Sequence, residues 1–144
     1  MRGVRRRRRV GLAAVLSLVL AAPALRAASA VDWAPFARES VVEIRTRDED
    51  GAPRDTNVWI VVLDERGYVR TNDSRWLANI RRGSAVALRA GSVEAPVAAR
   101  EVADAETKAR VEDAFKQKYG VLQRIMSALR WREPTVLELV AASP

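Results

Sequence analysis

The chain has 144 residues, no cysteine, no histidine and a formal charge of +7. The two missing residue types exclude disulfide frameworks, Ser-His-Asp and Cys-His nucleophiles, thiolate or imidazole zinc sites and histidine-ligated haem. Chemistry in this chain therefore falls to carboxylates or to a bound cofactor.

The charge is unevenly placed. Seven of the 25 basic residues and none of the 18 acidic ones lie in residues 1–30, so 31–144 is balanced at 18 of each. Arg2 and Arg5 to Arg9 precede an apolar stretch over 10–22, and "APALRAASA" follows with small residues at Ala28 and Ala30. This is the three-part plan of an export leader cleaved after Ala30. A nucleic-acid-binding patch and a retained membrane anchor are the competing readings. The apolar stretch is short for a bilayer span of about 20 residues. Adjacent arginines before an alanine-rich core are compatible with a twin-arginine signal, a route that carries folded proteins. The expected organisation is thus a signal peptide over 1–30 and one domain over 31–144, exported to the periplasm or outside. No nucleic acid is expected as a partner, nor a membrane once the leader is gone.

In chain order, "VVEIRTR" over 41–47 alternates apolar and polar residues, the period of a half-buried strand. "DEDGAPRD" supplies turn residues, and "TNVWIVVLD" over 56–64 reads as a continuous strand covered on both sides. "ERG" should turn it into a third strand, "YVRTN". Ser74 is a plausible N-cap for a short helix over 74–82, with Trp76, Leu77 and Ile80 as its apolar stripe and Gly83 as its end. Strands are expected at 84–90 and 93–102, with Pro96 suited to an edge or bulge. Residues 104–119 are amphipathic through Val111, Phe115 and Tyr119. Gly120 should interrupt that helix before a second piece over 121–131, and "TVLELVA" should close as the last strand. Small β-barrels with covering helices have this order of elements, and an open α+β sandwich is the alternative.

Most polar clusters have ordinary readings. Asp48, Glu49, Asp50 and Asp55 lack the alternation of a calcium loop and fit a solvated turn, so no metal is expected. The basic residues of 104–132 alternate with acids as on a solvated helix face. Trp33 and Trp59 fit core or rim positions, and Tyr119, a candidate general acid or base, fits the core by its helical spacing with Phe115 and Leu122. "VRTNDSRWLANIRR" over 69–82 is less ordinary. Asn72 or Ser74 could cap the helix while Arg70 and Arg75 are surface charges. Alternatively, Arg70, Thr71, Ser74 and Arg75 form an anion cradle with Trp76 as an apolar wall.

The order D-G-x-P, x-x-V-W, Y-V-R-T and W-x-x-N, with "KYG" and "VLEL" further on, resembles the flavin- and deazaflavin-binding split β-barrel family. Its pyridoxamine-phosphate-oxidase-like and deazaflavin-dependent nitroreductase-like branches carry the likeness. The resemblance implies a fold that is mainly β with α: a six-stranded split barrel, a short helix after strand three and a helical segment before the last strand. It also implies a homodimer with a cofactor groove between the subunits. Thr56, Asn57, Val58 and Trp59 would lie along the ring of FMN or a deazaflavin. Arg70, Thr71, Asn72, Ser74 and Arg75 would face its phosphate-bearing chain, with Arg47, Trp76 and Asn79 nearby. The implied activity is hydride exchange between that cofactor and a small-molecule substrate; a barrel that only binds a ligand or partner is the second reading. Trp76 and Ala78-Asn79 stand where many relatives carry a phosphate-binding lysine and an Arg-Asn pair.

Overall fold

The structure, a computed structural model, describes residues 30–128 and 133–143, the side chains of 123–128 excepted. The expected leader and the end of the second helical piece lie outside the described residues. Helix α1 (Ala34–Arg38) is followed by β1 (Val42–Arg47), β2 (Pro53–Val58), β3 (Ile60–Leu63) and β4 (Arg66–Thr71). Then come α2 (Arg75–Arg81), β5 (Val86–Ala90), β6 (Val93–Glu101), α3 (Ala105–Ala128) and β7 (Thr135–Ala141). The strands form one antiparallel sheet in the order β2-β1-β5-β6-β7-β4-β3.

That order dictates the shape. β2 and β3 are the two opposite edges of the sheet, yet only Trp59 separates them in the chain. Val58 pairs with Val42 of β1, whereas Ile60 pairs with Val69 of β4. The sheet must therefore curl until its edges meet at Trp59, which makes a barrel split at one seam. This corrects the expected strand count from six to seven. The run over 56–64 is not one strand covered on both faces. It changes partners at Trp59, and β2 alternates exposed and partly covered positions until Val58. The β3–β4 hairpin turns on Asp64 and Glu65, both with positive φ, as a tight two-residue hairpin loop requires.

Two apolar clusters divide the inside of the barrel from its helix-covered outside. Ile44, Val58, Ile60, Val69, Leu77, Leu88, Leu137 and Leu139 fill the interior, and Trp33 and Phe36 of the α1 region close it. Val61, Tyr68 and Val136 turn to the other face, where Val111 and Phe115 of α3 cover them. The period of two along β4 thus puts Val69 inside and Tyr68 and Arg70 under α3. Gly67 is there because a side chain would meet the indole of Trp33: an added Cβ would lie 2.7 Å from its ring. The α1 plug was missed in the sequence, since five residues leave too little periodicity to see.

Other expectations correspond closely. Ser74 caps α2, its Oγ accepting from the Leu77 N–H at 3.3 Å. Gly120 breaks α3 with φ of 51° and ψ of −124°. Pro96 sits in the half of β6 that pairs with β5, while pairing with β7 begins only at Val97. Its missing N–H therefore falls on a local edge, as the chemistry of proline asks. No described helix is long and apolar enough to cross a membrane.

Candidate functional site

The seam where β2 passes into β3 opens on a hollow of about 260 Å³, lined by Asn57, Val58, Trp59, Arg70, Thr71, Trp76 and Phe115. Three aromatic rings supply its apolar walls. Every polar side chain in the lining can donate a hydrogen bond, and none is a carboxylate. Acceptor-rich guests with a planar face match such a surface.

The walls are held by a stack of rings. Trp59 lies 4.4 Å from Tyr119 at an interplanar angle of 6°, and Tyr119 lies 5.6 Å from Phe115. On Phe115 rests the Arg70 guanidinium, 3.8 Å from the ring centroid, a cation–π contact. Its side chain is 4% exposed and is paired with Glu112 of α3, whose side chain is 35% exposed. The end of the stack at Trp59 is pinned by α3. The Tyr119 hydroxyl accepts from the Ile60 N–H at 3.0 Å and can donate to the Ser40 carbonyl at 2.7 Å. Lys118 Nζ donates to the carbonyls of Ala37, Glu39 and Ile60 at 3.1, 2.6 and 2.8 Å. Burial pushes the Tyr119 hydroxyl up and the Lys118 ammonium down from their ordinary pKa values. "KYG" therefore fastens the point at which the sheet changes edges.

A second hollow, of about 470 Å³, lies on the other side of α2 and is lined by Asp48, Glu49, Asp50, Arg75, Asn79 and Arg82. Asn79 organises it. Its buried Nδ2 donates to Thr46 Oγ1 at 3.0 Å and to Asp48 Oδ1 at 2.9 Å, while Oδ1 accepts from Arg82 at 2.6 Å. Arg54 adds a two-pronged bond to Asp48 at 2.8 and 2.6 Å. Arg54, then Asn79, hold the Asp48 carboxyl well below the ordinary carboxylate range. This network ties α2 to the turn between β1 and β2.

The twelve residues picked from the sequence thus fall into three groups. Asn57, Val58, Trp59, Arg70, Thr71 and Trp76 line the first hollow, and Arg75 and Asn79 line the second. Arg47, Thr56, Asn72 and Ser74 line neither. Arg47 donates to the Gly51 carbonyl at 3.0 Å across the β1–β2 turn, and Ser74 is engaged as the cap. A single cradle holding both Arg70 and Arg75 is therefore corrected. The two arginines lie in different hollows, because Arg70 ends a strand under α3 while Arg75 starts a helix beside the turn. Phe115 was read from the sequence only as part of a helix face, and Glu112 was one of the acids alternating with basic residues on that helix. The available signal was the Val111, Phe115, Tyr119 spacing, which puts three large side chains on one stripe.

A curled antiparallel barrel, split at one seam and covered by helices, is a fold that solved split-barrel structures share. The heme storage protein HutZ from Vibrio cholerae is similar with a TM-score of 0.59 and 16% identity over 74% of this chain and 84% of that one. A putative pyridoxamine 5'-phosphate oxidase from Lactobacillus delbrueckii gives 0.52 and 21% over 75% and 84%. An F420-H2 dependent reductase, FDR-A, gives 0.58 and 16% over 70% and 94%. The chain belongs to the family described as "Uncharacterized protein conserved in bacteria (DUF2255)", which matches residues 33–138. No curated protein matches it in sequence.

Proposed function

We propose that this protein binds a flavin-type cofactor, FMN or a deazaflavin, with the ring in the hollow at the β2–β3 seam. The observation that carries the reading is the lining itself: three aromatic walls, polar side chains that can all donate with no carboxylate among them, and a buried guanidinium. An isoalloxazine-like ring offers a planar apolar face and a row of carbonyl and nitrogen acceptors along one edge. The FDR-A likeness supports a deazaflavin and the Lactobacillus likeness a flavin-related site. HutZ brings heme into view, but nothing lining this hollow is an ordinary iron ligand and the chain has no histidine or cysteine. The organic ring is the better fit.

When bound, such a ring exchanges hydride with a small-molecule substrate. The chain's own part is to hold and orient it: Trp59 and Trp76 flank it, while Asn57 and Thr71 fix its edge. The hollow in one chain is smaller than the roughly 300–1,000 Å³ usual for ligand sites. A second copy closing over the seam would complete it, and a structural neighbour described as a domain-swapped dimer supports a homodimer. Export through the arginine-rich leader, as a folded and loaded protein, belongs to the same proposal.

Titration with FMN and with a deazaflavin, read by quenching of cofactor fluorescence, tests the placement. Trp59→Leu should weaken binding roughly tenfold or more, about 1.4 kcal/mol. Arg75→Ala should leave it within twofold. Equal losses in the two variants would put the ring elsewhere.

A further inference from the structure

We infer that Glu112 is a displaceable internal counter-ion, whose place on Arg70 is taken by an anionic group of the guest, a phosphate or a carboxylate. The inference rests on the seam hollow being the binding site, and adds which charge the site selects and what that selection competes against.

The two partners of this ion pair are unequally committed. Arg70 sits on β4 between β3 and β7, its side chain is 4% exposed, and Phe115 lies against its guanidinium at 3.8 Å. It has little freedom to leave. Glu112 comes from α3, which covers the hollow together with α2, and its side chain is 35% exposed, so it has a path into water that Arg70 lacks. A buried guanidinium deprived of its anion is penalised by several kcal/mol, so exchange of one anion for another is the low-cost route. The direction of the exchange follows from the lining. Asn57, Trp59, Thr71 and Trp76 add donors around Arg70 and no acid. A phosphate with three acceptor oxygens could engage Arg70 and neighbouring donors together, whereas the Glu112 carboxylate reaches in only from the α3 side. The carboxylate then holds the site against weak anions and yields to one that also fills the hollow. Arg75 and Arg82 flank acids in the second hollow and offer no comparable acid-free surface.

The test uses inorganic phosphate first, so that it does not depend on the ring. In the unaltered chain, the Arg70 Nε resonance and the Glu112 carboxyl carbon resonance should both move on titration with phosphate, with one shared midpoint. In Glu112→Gln the phosphate midpoint should fall roughly tenfold, the scale of one charge-assisted hydrogen bond removed from competition. FMN should gain by a similar factor, and riboflavin, which has the ring without the phosphate, should not. A guest acting through a carboxylate would show the same gain with a deazaflavin carrying carboxylates. Phosphate that moves Arg70 but leaves Glu112 unmoved overturns the inference, as does a Glu112→Gln midpoint equal to or higher than that of the parent. Should Glu112→Gln fail to fold, the paired resonances in the unaltered chain decide alone. If phosphate behaves as stated while no flavin or deazaflavin binds any variant, the counter-ion stands and the ring reading falls.

Discussion

Phe115→Ala should be the most damaging single change in the chain outside the barrel interior, costing about 3–5 kcal/mol. Phe115 is fully buried between α3 and the outer face of the sheet, where it meets the cluster of Val61, Tyr68, Val111 and Val136. Its loss opens a cavity in that cluster and also removes the surface on which the Arg70 guanidinium rests. The cation–π contact adds about 0.5–2 kcal/mol to the penalty. Urea unfolding should show a large fall in midpoint with little change in slope. Phe115→Leu, which keeps most of the volume but not the ring face, separates the two contributions. If it costs as much as alanine, the ring contact outweighs the packing; if it costs almost nothing, the stack from Trp59 to Arg70 is incidental to the fold.

Asn79→Ala should cost about 2–3 kcal/mol at neutral pH, because it strips a buried hydroxyl and a carboxylate of a shared donor. Asn79 and Thr46 are both fully buried, and the amide links them to Asp48 and Arg82. The cost should also depend on pH, with a definite sign. The Asp48 carboxyl is held below its ordinary value of 3.8 by Arg54 and then by Asn79. A carboxyl depressed by folding stabilises the protein above its unfolded pKa, and that stabilisation is lost as pH falls through the folded value. Without Asn79 the depression is smaller, so less is lost on acidification. The unfolded value is common to both chains, so the gap between parent and variant should narrow only as pH falls through the folded Asp48 values, which lie below 3.8. Paired unfolding curves at pH 7 and at the lowest pH at which the parent still folds measure it. A gap that stays constant would mean that Asn79 acts through Thr46 and Arg82 and not through Asp48.

These two residues show what the sequence made legible and what it hid. The strands, the capped helix at Ser74 and the break at Gly120 follow from local rules, so each could be read from a window of a few residues. The partner change at Trp59 could not. β2 and β3 look like one apolar run, and only the closing of the sheet decides that its two halves bond to opposite edges. The candidate site shows the same division. Arg70, Thr71 and Trp76 were picked out because a strand end running into a helix carried more chemistry than a turn needs, whereas Asn57 and Trp59 were implied only by the family resemblance. Asn79 came with them as a motif residue, though its amide is spent on Thr46 and Asp48. Arg75 shared their stretch of chain but lines the hollow on the other side of α2, about a quarter turn of helix away from Trp76. Phe115 and Glu112 lie more than 40 residues along the chain from Arg70. Their roles arise only from α3 folding over β4, and no local pattern announces that contact.

The claim on which the account depends is that the seam hollow holds a flavin-type ring. The visible absorption spectrum of the protein, purified from a host that makes both flavins and deazaflavins, tests it most directly. A ring-type visible absorption band that stays with the protein through gel filtration, and is diminished in Trp59→Leu, is the predicted result. A colourless protein that takes up neither added FMN nor added deazaflavin would contradict it.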